Sequence, residues 1–151
     1  LLVVGPGSPG KECYRLLAER NVQDVVFLGW VSEEAKRRYL HTADIFCAPN
    51  TGKESFGLIL GEAMAAGKPI VASKIEGFAA VMNDDAEGFL VPPRDEEALA
   101  LALQRLIDDP ALRRRMGGRG RQSVEAFRWE RVVQRVVECY GEAMVHHAAA
   151  A

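Results

Sequence analysis

A chain of 151 residues, 48% hydrophobic and 26% charged, is long enough for one domain with a sizeable core and has the make-up of a globular protein. A formal net charge of -2 gives no reason to expect a nucleic-acid partner. The longest nearly apolar stretch, Gly57 to Gly67, is interrupted by Glu62 and is too short to span a membrane.

The apolar runs Leu1–Val4, Val25–Leu28, Asp44–Ala48, Pro69–Ala72 and Phe89–Val91 predict strands. They lack strict alternation, as strands buried on both faces do. Helical patterns fall between them, over Lys11–Arg20, Glu33–Thr42, Gly57–Ala66 and Gly77–Met82. Ser32 is placed to cap the second, with Glu33 and Glu34 in its first turn. Such alternation predicts a parallel sheet with helices on both faces. The last third is helical. Asp95 caps a helix carrying Leu99, Leu103 and Leu106 on one face, and Asp109-Pro110 opens another. Val132, Val133, Val136, Val137 and Tyr140 line a final long helix. The reading is one domain over residues 1–147, with 148–151 as a disordered or appended tail. Leu1 already lies inside a strand, so the pattern leads us to expect sequence upstream. No secretory pattern is visible at the start. Cys13, Cys47 and Cys139 are odd in number and scattered, as expected of reduced thiols in the cytoplasm.

Gly5, Gly7 and Gly10 match the G-x-G-x-x-G spacing of dinucleotide sites. Pro6 and Pro9 remove backbone donors that would hold a pyrophosphate, and the next strand ends in Leu28-Gly29-Trp30, without the ribose-binding acid. A tight strand-to-helix turn is the better reading.

The segment Ala48 to Gly67 carries the chemistry. A strand ends near Pro49, a loop of small and polar residues follows, and a helix starts near Phe56 or Gly57. Open α/β sheets bind ligands at such carboxyl edges. Backbone N–H groups of Ser55, Phe56, Gly57 and Leu58 would face an anion there, and Gly57 would permit close approach of a diphosphate. Glu62 is the one ionisable residue in an otherwise apolar helix. A buried carboxylate needs donors. Two readings stand for it: the hydroxyls of a ribose, or an ion pair with a distant residue. Glu54, in the loop, reads either as a contact to a sugar hydroxyl or a developing cationic carbon, or as a solvated glutamate beside Lys53.

Glu54, Gly57 and Glu62 in the frame E-x-F-G-x-x-x-x-E, followed by Ala63-Met64-Ala65-Ala66-Gly67-Lys68-Pro69, resemble the E-x7-E region of retaining GT-B glycosyltransferases of group 1. Phe27-Leu28-Gly29-Trp30-Val31, Ala43-Asp44-Ile45-Phe46-Cys47-Ala48-Pro49 and Glu87-Gly88-Phe89-Leu90-Val91 extend the resemblance in order over nearly the whole chain. It implies a Rossmann-like three-layer domain, the C-terminal half of a GT-B fold truncated at its N-terminus, that binds a nucleotide-sugar donor. It implies that Glu62 binds the donor ribose and that Glu54 lies near the donor sugar as the catalytic glutamate. Ser55, Phe56, Gly57 and Leu58 would face sugar and diphosphate, and Gly29, Trp30 and Val31 would pack the base. Retention is usually explained by front-face displacement through an oxocarbenium-like state. Ala48-Pro49-Asn50-Thr51-Gly52 before Glu54 looks most like the phosphatidylinositol mannosyltransferases of the family. That implies GDP-mannose as donor (UDP- or ADP-sugars being the other options), a membrane-lipid acceptor, and a cytoplasmic enzyme placed peripherally at the inner face of the membrane.

Some family features are absent. The Arg and Lys that grip the diphosphate lie upstream of the strand matching Leu1–Val4, as does the acceptor-binding domain with its histidine. His41, His146 and His147 do not replace that histidine. The fragment alone is therefore expected to transfer no sugar. Where many family members have a Gly-Gly and a glutamate after the Val71-Ala72-Ser73 strand, the run here is Ile75-Glu76-Gly77-Phe78-Ala79-Ala80-Val81, which resembles the mannosyltransferase form. Arg113, Arg114, Arg115, Arg119 and Arg121 read as a solvated helix face rather than a phosphate or RNA patch. No Asp-x-Asp pair or His/Cys cluster suggests a metal, and no cofactor is expected. Two other classes remain on the sequence alone: a non-catalytic nucleotide-binding or interaction module, and an NAD-binding domain resting on the glycine loop.

Overall fold

The computed structural model describes residues 1–52 and 54–149, with side chains described through residue 144. The chain divides into two compact units, Leu1–Thr42 and a second beginning at Ala43.

In the first unit, β1 (Leu2–Val4), α1 (Lys11–Glu19), β2 (Val26–Gly29) and α2 (Glu33–Thr42) follow in order. β1 and β2 pair in parallel, Leu2 opposite Val26 and Val3 opposite Phe27. β1 is exposed along its length, contrary to the expectation of strands buried on both faces. Ser32 caps α2 as expected: its Oγ accepts from the Ala35 N–H at 3.2 Å. The glycine loop behaves as a turn. The Gly5 N–H donates to the Gly29 carbonyl at 3.0 Å, so the first of its donors is already used.

The second unit contains β3 (Phe46–Ala48), α3 (Leu58–Ala65), β4 (Ile70–Ser73), α4 (Glu76–Ala79), β5 (Gly88–Val91), α5 (Glu96–Asp108), α6 (Pro110–Val124), a 3-10 turn (Glu125–Phe127) and α7 (Trp129–Ala149). Its sheet is parallel in the order β3-β4-β5, so the five strands lie in two hydrogen-bonded sheets. All four residues of β4 are buried. Successive strand residues point to opposite faces, so both faces of this central strand are covered. On one face Val71, Phe89 and Val91 pack with Ala102, Leu106, Leu112 and Met116, and Leu99 and Leu103 close the edge.

Helix ends follow the predicted caps. Asp95 accepts from the Ala98 N–H, and Asp109 accepts from Ala111 and Leu112, each at 2.9 Å. Two arginines of the basic run also have structural work. Arg113 donates to the Leu106 and Ile107 carbonyls at the end of α5, and Arg121 donates to the Ala66 carbonyl after α3. Glu87, which the sequence showed only as part of a strand motif, is buried. It accepts from the Asn83 N–H at 2.8 Å and from the Ser123 hydroxyl. Cys13, Cys47 and Cys139 are all free. Burial pushes the Cys47 thiol above its ordinary range, which suits a packing role rather than a nucleophile. The stripe on α7 is present but exposed, with Val133, Val136, Val137 and Tyr140 open to solvent. The tail expected from residue 148 is helical through Ala149, and residues 150 and 151 lie outside the described residues.

The glycines of α6 allow close packing on the end of α3. A Cβ on Gly117 would stand 2.1 Å from the Gly67 carbonyl oxygen, whereas one on Gly118 would meet nothing within 4 Å. Helix propensity favours alanine over glycine by about 1 kcal/mol at either position. At Gly117 the collision outweighs that gain. Gly117→Ala is expected to destabilise the domain by about 1–3 kcal/mol or more, and Gly118→Ala to stabilise it by about 0.5–1 kcal/mol. Urea unfolding of the two variants checks the sign. Equal shifts in the same direction would contradict the packing described here.

Candidate functional site at the start of helix α3

β3 ends at Ala48, and the loop to α3 runs to Gly57. Gly57 is buried and left-handed, with φ of 67°. A Cβ there would lie 2.8 Å from Cδ1 of the Phe78 ring. The space a side chain would take at this glycine is filled by Phe78, which is fully buried. Nor is the Gly57 N–H vacant. It donates to Oε1 of Glu54 at 3.2 Å, so Glu54 satisfies one of the N–H groups at the helix start. The N–H groups of Leu58 and Ile59 have no acceptor within the helix by α-helical geometry.

The loop is clamped from the other side by α4. A Cβ on Gly77 would stand 2.2 Å from the Glu54 carbonyl oxygen, so only glycine lets the start of α4 lie against the Glu54 backbone. The contact fixes an open cavity of about 500 Å³ lined by Gly52, Glu54, Ser55, Ile75 and Glu76. Glu54 is half-buried and Ser55 exposed.

The cavity thus unites two of the expected site residues, Glu54 and Ser55. It adds Glu76, which the sequence showed only as a departure from a Gly-Gly pair. Phe56, Gly57, Leu58 and Glu62 do not line it. Phe56 packs its ring edge-on against Phe127, with centroids 5.8 Å apart. Leu58 is 70% exposed, so α3 is not buried all round. Its buried side is Leu60, Ala63 and Met64. Glu62 is half-buried in the second turn of α3, with its Oε2 shielded from solvent. In the first unit, Gly29 is left-handed with φ of 62°, Trp30 is exposed and Val31 half-buried. Among the described residues no group of three or more His, Cys, Asp or Glu could hold a metal ion, and no helix is long and apolar enough to cross a membrane.

The sequence profile described as "Glycosyl transferases group 1" matches residues 1–123. The chain belongs to this glycosyltransferase family. It is 41% identical over 140 residues to the phosphatidyl-myo-inositol mannosyltransferase of Mycobacterium leprae, covering 93% of this chain and 37% of that protein. Among solved structures, sucrose-phosphate synthase of Thermosynechococcus elongatus superposes with a TM-score of 0.82 at 36% identity, covering 97% of this chain and 39% of the synthase. Anabaena HepE in complex with UDP and glucose shares the fold, with a TM-score of 0.80 at 24% identity over 93% of this chain and 40% of HepE. The chain therefore spans under two fifths of the length of the mycobacterial relative. The α/β architecture with parallel strands is the one expected for the C-terminal half of a GT-B fold.

Proposed function

We propose that this chain is the donor-binding domain of a retaining mannosyltransferase that takes GDP-mannose as donor and a phosphatidylinositol-type lipid as acceptor. The observation that carries the reading is the cavity at the carboxyl edge of β3, where Glu54 and Ser55 stand beside the start of α3. The donor sugar occupies that cavity, with its hydroxyls donating to Glu54. The diphosphate lies toward the unsatisfied N–H groups of the α3 N-terminus. Glu62 holds the ribose, as the second glutamate of the E-x7-E pair. The likeness to mycobacterial phosphatidyl-myo-inositol mannosyltransferases supports mannose and a lipid acceptor. On this reading the acceptor-binding domain and the basic residues gripping the diphosphate belong to other parts of the protein, the enzyme is cytoplasmic and peripheral at the inner face of the membrane, and no protein-bound metal or cofactor takes part.

Isothermal titration with GDP, UDP, ADP and NAD tests the reading. GDP should bind more tightly than UDP or ADP, with NAD inert. A response to NAD alone would restore the dinucleotide reading of the glycine loop. Mixing the 151-residue chain with GDP-mannose and a phosphatidylinositol acceptor should give no transfer. Transfer by this chain alone would refute its assignment as one wall of the active site.

A further inference from the structure

We infer that Glu76 is a second sugar-recognition residue of the donor site, accepting hydroxyl groups of the transferred hexose alongside Glu54; the inference rests on the donor-site reading above. Glu76 lines the same cavity as Glu54 and Ser55. Among the described residues its carboxylate has no side-chain partner. Its position is set by packing: Gly77 next to it lies against the Glu54 backbone, and Phe78 after that is fully buried. Glu76 is thereby held at the rim while its side chain stays uncommitted.

The composition of the cavity narrows what it accepts. Oε1 of Glu54 is engaged by the Gly57 N–H, which leaves Oε2 of Glu54 and both oxygens of Glu76 as acceptors. These oxygens accept hydrogen bonds from neutral donor groups. Adjacent hydroxyls of a hexose are donors of that kind, and one carboxylate can accept from two of them at once. Glu76 belongs to the part of the site that meets the sugar and not to the part that meets the nucleotide. Glu76 is a positioning and specificity residue: it contacts hydroxyls away from the carbon that reacts.

The test uses the 151-residue chain and two ligands that differ only by the sugar, GDP and GDP-mannose, titrated by NMR to millimolar concentration. The wild-type chain should bind GDP-mannose about tenfold more tightly than GDP, the lower range of hydrogen bonds to a charged group. Glu76→Gln and Glu76→Gly should cut that preference to about a third or less while GDP affinity stays within about twofold. An unchanged preference in both variants overturns the inference. So does a parallel fall in affinity for both ligands, which would mark Glu76 as structural. If the wild-type chain binds GDP but shows no preference for the sugar, the inference fails and the nucleotide site stands. If it binds neither ligand, the donor-site reading fails and this inference falls with it.

Discussion

Glu54→Gln in the longer enzyme is expected to lower kcat on the order of a hundredfold while the melting temperature stays within about 2 °C of wild type. Glutamine is the informative replacement. Its amide oxygen can still accept from the Gly57 N–H, so the helix start remains satisfied. Alanine would remove both the charge and the cap, and loss of a cap alone costs about 1 kcal/mol. On the proposed reading, what glutamine lacks is the negative charge beside the sugar carbon as that carbon becomes cationic. An interaction made only in the transition state changes kcat and leaves the ground-state affinity largely alone. Steady-state kinetics with a donor titration checks this. A variant that raises KM for the donor and keeps kcat would make Glu54 a ground-state contact only.

The second expectation concerns Glu62. Glu62→Ala should weaken GDP binding by about tenfold to a hundredfold, corresponding to about 1.5–3 kcal/mol for a charged hydrogen-bond partner. A ribose is present in GDP and in the sugar donor alike, so the loss should appear equally for both ligands. Glu62 sits in the second turn of α3 with Oε2 shielded, and the buried side of the same helix carries Leu60, Ala63 and Met64. Its removal could therefore disturb packing and imitate lost binding. Circular dichroism and thermal melting alongside calorimetry separate the two. If Glu62→Ala and Glu54→Ala both stay folded and bind GDP as well as the wild type, Glu62 does not hold the ribose.

Local features were the most legible from sequence. Ser32, Asp95 and Asp109 were readable as caps because the acceptor and its N–H partners lie within a few residues of one another. The place of Glu54 was readable because a parallel strand feeding a helix puts the connecting loop at the sheet edge. Features that join distant parts of the chain were not. Nothing in the spacing announces that Gly77 must lie against the Glu54 carbonyl, so Glu76 read only as an exception to a glycine pair. At Gly57 the sequence shows a missing side chain and not the Phe78 ring that fills its place. The run from Gly57 to Gly67 read as buried all round, yet apolar character alone does not say which side of a helix is covered, and Leu58 faces outward. The arginines of α6 read as a solvated face, and the spacing assigns the glycines among them no role. Gly117 instead is the point where α6 touches the chain after α3.

The bond from the Gly57 N–H to Glu54 has a thermodynamic consequence for any anion that approaches this helix start. The protein carries its own competitor there, tethered three residues away and present at high effective concentration. A diphosphate that takes this donor must first displace a carboxylate of like charge, and the affinity measured is the difference between the two attachments. Weakening the internal attachment therefore leaves nucleotide binding undiminished or raises it. On the proposed reading, a nucleotide that takes this donor releases Glu54 from the backbone and frees its Oε1 for the sugar. On that reading the same carboxylate is a plug when the site is empty and a contact when it is filled.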